Sequence, residues 1–346
     1  MELADTVRQG RVVSFLANGL YLLGEHASAI TAAHRATEIA QLLDDFPTRV
    51  AADIYTGRAL YALGRYREAT ELFRRVVDLF NGDHANDYAG LPVLPAAYAR
   101  SYLAMGLSEL GEFTAALAAG HEAVAIAEAT GHLDTIQWAC YGLGLTLLDR
   151  GDLDDAIIHL ERALSICRSA DLPVYVARAA AALGHASAVS GRDDGLNLLE
   201  GAAVASQRPS QRNNEARTLA RLAEVYLLAG RTLEGMERAE QSRVLAAERG
   251  ERGSEAHALR VLALAYEARS RVDEARATYE RAFALATESD MQPLVALCHF
   301  GLGRLERVAH RRAGAVSHLL AAHETFERLE MSRWGHATVE ELALLD

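Results

Sequence analysis

ACYGLGLTLLDRGDLDDAIIHLERALSIC, residues 139–167, contains two apolar stretches separated by the polar break DRGD at Asp149–Asp152. On either side of the break, apolar residues recur at i, i+3, i+4 and i+7, which is helical spacing. The segment therefore reads as two antiparallel helices joined at Gly151. The same break recurs in both directions along the chain, at Gly24, Gly64, Gly111, Gly191, Gly230, Ser270 and His310. The intervals, Gly151 included, are 40, 47, 40, 40, 39, 40 and 40 residues. A fixed period of this length signals a stack of identical supersecondary units.

Small residues hold fixed places around each turn. Seven residues before it stand Ala17, Gly57, Ala104, Gly144, Gly184, Ala223, Ala263 and Gly303. Five after it, Ala29, Ala69, Ala116, Ala156, Ala275 and Ala315 recur, with Leu196 and Gly235 in the two remaining units. Such side chains let paired helices approach closely. This pattern resembles the tetratricopeptide repeat, whose Leu-Gly, Tyr, Gly, Ala and aromatic columns are visible in residues 53–77. The period exceeds the usual 34 residues, which implies longer helices or longer turns. The expected fold is all-α, a right-handed superhelix of about eight helix-turn-helix repeats of ~40 residues. The expected repeats run roughly 7–45, 46–83, 94–132, 133–171, 172–210, 211–251, 252–290 and 291–330, with a capping helix at 332–346, as one solenoid over 1–346.

Composition removes most chemistry. The chain has no lysine, so its 35 basic residues are all arginine. A phosphate loop, a pyridoxal Schiff base and a lysine nucleophile are thereby excluded. The 13 histidines include no HExxH, and His318 and His323 are five residues apart, off a shared helical face. Carboxylate pairs such as Asp154 with Asp155 fall at helix starts, where the helix dipole favours them. The expectation is a non-enzymatic chain without cofactor or metal. Cys140, Cys167 and Cys298 read as free, buried thiols. No stretch approaches eighteen apolar residues, and MELADTVRQGRVVSF has no apolar signal core, so a cytoplasmic protein with no membrane partner is expected. A net charge of −12 argues against nucleic acid.

A binding surface can be projected from the period. In tetratricopeptide solenoids the first helix of each pair lines a concave groove. Counting back thirteen, ten, six and three residues from each turn gives groove candidates. The early set is Asn18, Tyr21, Arg58 and Tyr61; the middle set is Tyr98, Trp138, Tyr141, Arg178 and His185; the late set is Arg217, Arg260, Arg304 and Arg307. Aromatics gather in the first half and arginines in the second, which suits a protein or peptide partner, or a small anionic effector. The same residues equally suit internal packing, with the aromatics on neighbouring helices and the arginines on local glutamates. A first repeat that starts without a polar cap also leaves room for an upstream domain or for self-association there.

Two segments interrupt the pattern. FNGDHANDYAGLPVLPAAYAR, spanning residues 80–100, either projects as a loop from an edge or forms a longer crossover. Ser206–Asn214 reads as a turn.

A closer resemblance covers nearly the whole chain. LGEFTAALAAGHEAVAIAEATGH (110–132), YLLAGRTLEGMERAEQSRVLAAERGERGSEAHALR (226–260) and MQPLVALCHFGLGRLERVAHRRAGAVSHLLAAHETFERLEMSRW (291–334) carry it, together with GLPVLP (90–95). The chain is similar to the C-terminal tetratricopeptide region of bacterial proteins that carry an adenylate or guanylate cyclase domain and a signalling ATPase module. A maltose-activator-like superhelix is related. The catalytic residues of that family lie in those other domains, so the resemblance implies a regulatory or sensing arm.

Overall fold

A computed structural model describes residues 2–345. Met1 and Asp346, the outermost positions of the expected solenoid and cap, lie outside the described residues. Among the described residues there are seventeen α-helices and no strand. Sixteen form antiparallel hairpins in chain order. These are α1 (Glu2–Leu22) with α2 (His26–Leu43), α3 (Phe46–Ala62) with α4 (Tyr66–Leu79), α5 (Pro95–Leu110) with α6 (Phe113–Thr130), and α7 (Leu133–Arg150) with α8 (Leu153–Ser169). There follow α9 (Pro173–Val189) with α10 (Gly195–Ser206), α11 (Glu215–Leu228) with α12 (Thr232–Arg249), α13 (Arg252–Ala268) with α14 (Val272–Glu288), and α15 (Gln292–Val308) with α16 (Arg312–Arg328). The last helix, α17 (Ser332–Ala343), caps the stack.

The sequence sets these limits locally. Pro47, Pro95, Pro173 and Pro293 occupy the first turns of α3, α5, α9 and α15, where a missing N–H is harmless. Every hairpin turn places its column residue at positive φ, from Gly24 at 82° to Ser270 at 56° and His310 at 55°. That left-handed residue closes the preceding helix and reverses the chain. The small columns mark where the helices cross. Ala17, Ala104, Ala223 and Ala263 are fully buried. At Gly144 a Cβ would stand 2.7 Å from Leu160 Cγ.

The segment after α4 does not project. Leu91, Val93 and Leu94 are buried, and the Leu94 amide donates to Thr135 Oγ1 at 3.1 Å. It is a crossover packed onto the next hairpin, its apolar GLPVLP run folded inward. Ser206–Asn214 is more than a turn: Pro209–Asn214 forms a 3-10 helix that packs against α1, α9, α10 and α11.

That 3-10 helix belongs to a seam the repeat pattern does not announce. The superhelix returns on itself, so the tips of early hairpins meet the connections between late ones. His26 Nε2 lies 3.1 Å from Glu251 Oε1, both buried. Arg67 donates to Asp290 at 2.8 Å, and Arg150 lies 3.7 Å from Glu330. A Cβ on Gly64 would stand 2.7 Å from the Gly253 amide nitrogen. At the far end Trp334 of α17 lies 5.8 Å from the Phe300 ring and 6.1 Å from that of Phe326, covering the last hairpin. On α1, Val12, Phe15 and Leu16 are exposed. Cys140, Cys167 and Cys298 are free and buried. No described helix is long and apolar enough to cross a membrane.

Candidate functional site

The first helix of each pair, α1, α3, α5 and onward to α15, turns one face to the interior of the superhelix. Contacts across the seam bring early and late repeats together around that interior. Its N-terminal half is aromatic. Tyr61, Tyr102, Tyr98 and Trp138 form a continuous ladder, with centroid separations of 6.0 Å, 5.2 Å and 4.8 Å along it. Two arginines sit on these rings. Arg58 lies 4.1 Å from the Tyr21 centroid and donates to Asn18 Oδ1 at 2.7 Å. Arg178 lies 3.5 Å from Trp138 and 4.3 Å from Tyr141. Each such cation–π contact is worth about 2 kcal/mol when desolvated. Burial pushes the Tyr61 and Tyr98 hydroxyls well above the ordinary phenol range, so both stay neutral.

The C-terminal half is ionic. Arg217 on α11 donates to Glu109 on α5 at 3.0 Å, and His257 Nε2 lies 3.4 Å from the same carboxylate. Burial alone would raise the Glu109 pKa, but Arg217 and the His257 hydrogen bond outweigh it and hold it at about 2. Burial and Arg217 push His257 down to about 4. Glu224 accepts from Arg260 at 2.6 Å and contacts His185 at 3.0 Å. Arg304 pairs with Glu267, and Arg307 donates to Glu341 of the cap at 2.7 Å. Asp149 behaves differently: burial first, then the Glu109 charge, push it up to about 6.

Three cavities run in series along this interior. The first, of about 70 Å³, lies between the aromatic half and Arg217. The second, of about 110 Å³, shares Glu109, Asp149, Arg217 and Arg221 with the first. The third, of about 390 Å³, shares Glu224, Arg260, Leu297 and Trp334 with the second. Ion-paired side chains thus stand at each constriction. Nine of the thirteen projected residues line these cavities, whereas Asn18, Arg58, Tyr98 and Arg307 do not. The arginines largely meet carboxylates of other repeats, and the aromatics largely fill one another's space.

Projection from the turns missed Glu109 and Asp149. Both stand two residues before their turn, where the other repeats carry Leu22, Ala62, Val189, Leu228, Ala268 and Val308. Two carboxylates in an otherwise apolar column were the available signal. Arg221, one turn after Arg217 on α11, also lines the first cavity, as do Asn213 and Glu251, which follow only from the closure. Among the described residues no group of three or more His, Cys, Asp or Glu side chains is placed to hold a metal ion. His318 instead meets His299, Nδ1 to Nδ1 at 2.9 Å.

Tetratricopeptide repeat models match residues 96–169 and 57–81. No curated protein matches the sequence. Among solved structures, the Rap conjugation gene regulator of the plasmid pLS20 in complex with the Phr* peptide is 14% identical, with a TM-score of 0.63 over 94% of this chain and 96% of that one. A Rap protein complexed with competence and sporulation factor is 13% identical, with a TM-score of 0.59 over 98% of both chains. Aspartyl phosphate phosphatase F from Bacillus subtilis is 16% identical, with a TM-score of 0.54 over 80% of this chain and 72% of that one. At these identities the likeness is one of fold. The fold is an all-α tetratricopeptide-repeat superhelix.

Proposed function

We propose that this chain is a non-catalytic interaction module that takes a peptide, or an extended segment of a protein partner, into the interior of its superhelix. The observation that carries the reading is the row of three cavities separated by ion pairs. Each constriction is held by side chains able to exchange an internal partner for a ligand group. Glu224 with Arg260, and Glu267 with Arg304, present both charges to the interior, as an extended backbone with mixed side chains requires. The two Rap structures were solved with competence and sporulation factor and with the Phr* peptide bound, and the second supports a peptide as the occupant. The family resemblance supports a cytoplasmic setting, in which the chain is the sensing arm of a signalling protein and reports to a cyclase or ATPase module. We expect the solenoid to act as one unit.

A random peptide library displayed against the immobilised chain tests this. Peptides retained by the wild type are expected to be lost with Leu264→Trp, which fills the third cavity, and weakened with Arg304→Gln. Arg65→Ala, on the outer surface, is expected to change nothing. Equal retention by all four proteins would sink the reading.

A small anionic effector is the second reading. It is favoured by Arg221, which lines the first cavity without a carboxylate ion pair among the described residues.

A further inference from the structure

The interior arginines differ in what satisfies their charge. Arg217, Arg260, Arg304 and Arg307 each meet a carboxylate. Arg58, Arg178 and Arg221 meet none among the described residues. Arg58 is bonded to Asn18 and lies outside the cavities. The other two line the same small cavity.

Arg178 is 8% exposed. One guanidinium face lies on Trp138, and Nη2 donates to Gln137 at 3.3 Å. Its Nε has no hydrogen-bond partner. A buried N–H left unmatched costs about 1–3 kcal/mol, and more on a charged group. Arg221 stands beside the Tyr141 hydroxyl and within electrostatic reach of Asp149. Of the acids that share the cavity, Glu109 meets Arg217 and His257, and Glu251 meets His26; Asp149 accepts from the Ser108 hydroxyl at 3.0 Å and shares the field of Arg221 with any ligand oxyanion.

We propose that the first cavity is an oxyanion subsite, in which Arg178 and Arg221, walled by Trp138 and Tyr141, receive a carboxylate or phosphate group of the ligand. Both guanidinium groups line this cavity of about 70 Å³. Guanidinium forks match oxyanion geometry, and the Trp138 face fixes the fork in place before the ligand arrives. The subsite extends the interior-binding reading above by naming the ligand chemistry at its N-terminal end.

Trp334→Phe leaves Trp138 as the single tryptophan of the chain, and its emission reports on the guanidinium at its face. Acetate, inorganic phosphate and acetamide are titrated at fixed ionic strength, with thermal unfolding of the unsubstituted chain as a parallel readout. A saturable emission change with acetate or phosphate and none with acetamide is expected. An acetate-only response assigns a carboxylate, and a phosphate-only response a phosphoryl group. Arg178→Gln and Arg221→Gln are expected to weaken binding about tenfold or more, and Arg65→Ala to leave it unchanged. Arg221→Gln carries the test if loss of the Trp138 stack prevents Arg178→Gln from folding. An acetamide response equal to that of acetate, an unaltered Arg221→Gln titration, or no anion response at all would overturn the subsite. Retained library peptides would still stand in that case, because their loss is read at Leu264.

Discussion

Arg217 and Glu109 join helices α11 and α5 across 108 residues of sequence, donor to acceptor at 3.0 Å. The Glu109 side chain is 6% exposed and that of Arg217 20%, and the pair closes the superhelix from inside. Removing one member leaves a buried charge. Glu109→Ala is expected to destabilise the fold by about 3 kcal/mol, and Glu109→Leu with Arg217→Met to recover most of it. Urea unfolding of Glu109→Leu, Arg217→Met and the double variant measures the coupling, and simple additivity would show that the pair contributes little.

Asp149 gives the interior a pH dependence of known sign. Its folded pKa, about 6, lies above the usual 3.8, so the folded state keeps a proton that the unfolded state has lost between those values. Stability attached to this group is present at low pH and disappears as pH rises through about 6. His257, held down near 4, works in the opposite direction over pH 4 to 6.5. Asp149→Asn removes only the first effect. Its stability relative to wild type is expected to improve by about 2 kcal/mol between pH 4 and pH 7. Melting temperatures of both proteins across that range provide the check; a constant difference would refute the assignment.

The turn column gives a paired expectation. Ser270 and His310 hold left-handed φ values of 56° and 55° where six other repeats use glycine. Ser270→Gly and His310→Gly are each expected to stabilise the chain by about 0.5–1 kcal/mol. Loss of stability on either change, measured by chemical denaturation, would show that the side chain makes a contact worth more than the backbone strain.

Glycines within helices divide by what surrounds them. Gly144→Ala would press a methyl against Leu160 and is expected to cost about 1–3 kcal/mol. Gly19, with nothing within 4 Å of an added Cβ, is expected to gain about 0.5–1 kcal/mol as alanine. The two variants, compared in one denaturation series, should move in opposite directions.

The hairpins were legible because close helix crossing imposes a steric rule at every repeat, and Ala17, Gly57 or Gly144 obeys it wherever it recurs. The inward face was legible for a related reason. Position relative to a turn sets an angle around a helix, and that angle places Tyr61, Trp138, Arg178 and Arg260 on cavity walls. The closure was not legible. It follows from small rotations summed over several repeats, and no column records them. Hence the contacts of His26 with Glu251 and of Arg67 with Asp290 have no local signature. The 3-10 helix at Pro209–Asn214 was obscured similarly, since its polar PSQRNN reads as solvent-facing until α1 packs beside it.

The seam alters how this molecule comes apart. A plain array of repeats frays from its ends, each unit leaving without disturbing those more than one place away. Here the tips of the leading hairpins rest on linkers near the tail, so trimming the tail strips neighbours from Gly111 and Arg150 near the middle of the chain. Melting is therefore coupled over long distances, and repeats cannot be added or removed at the end as interchangeable beads.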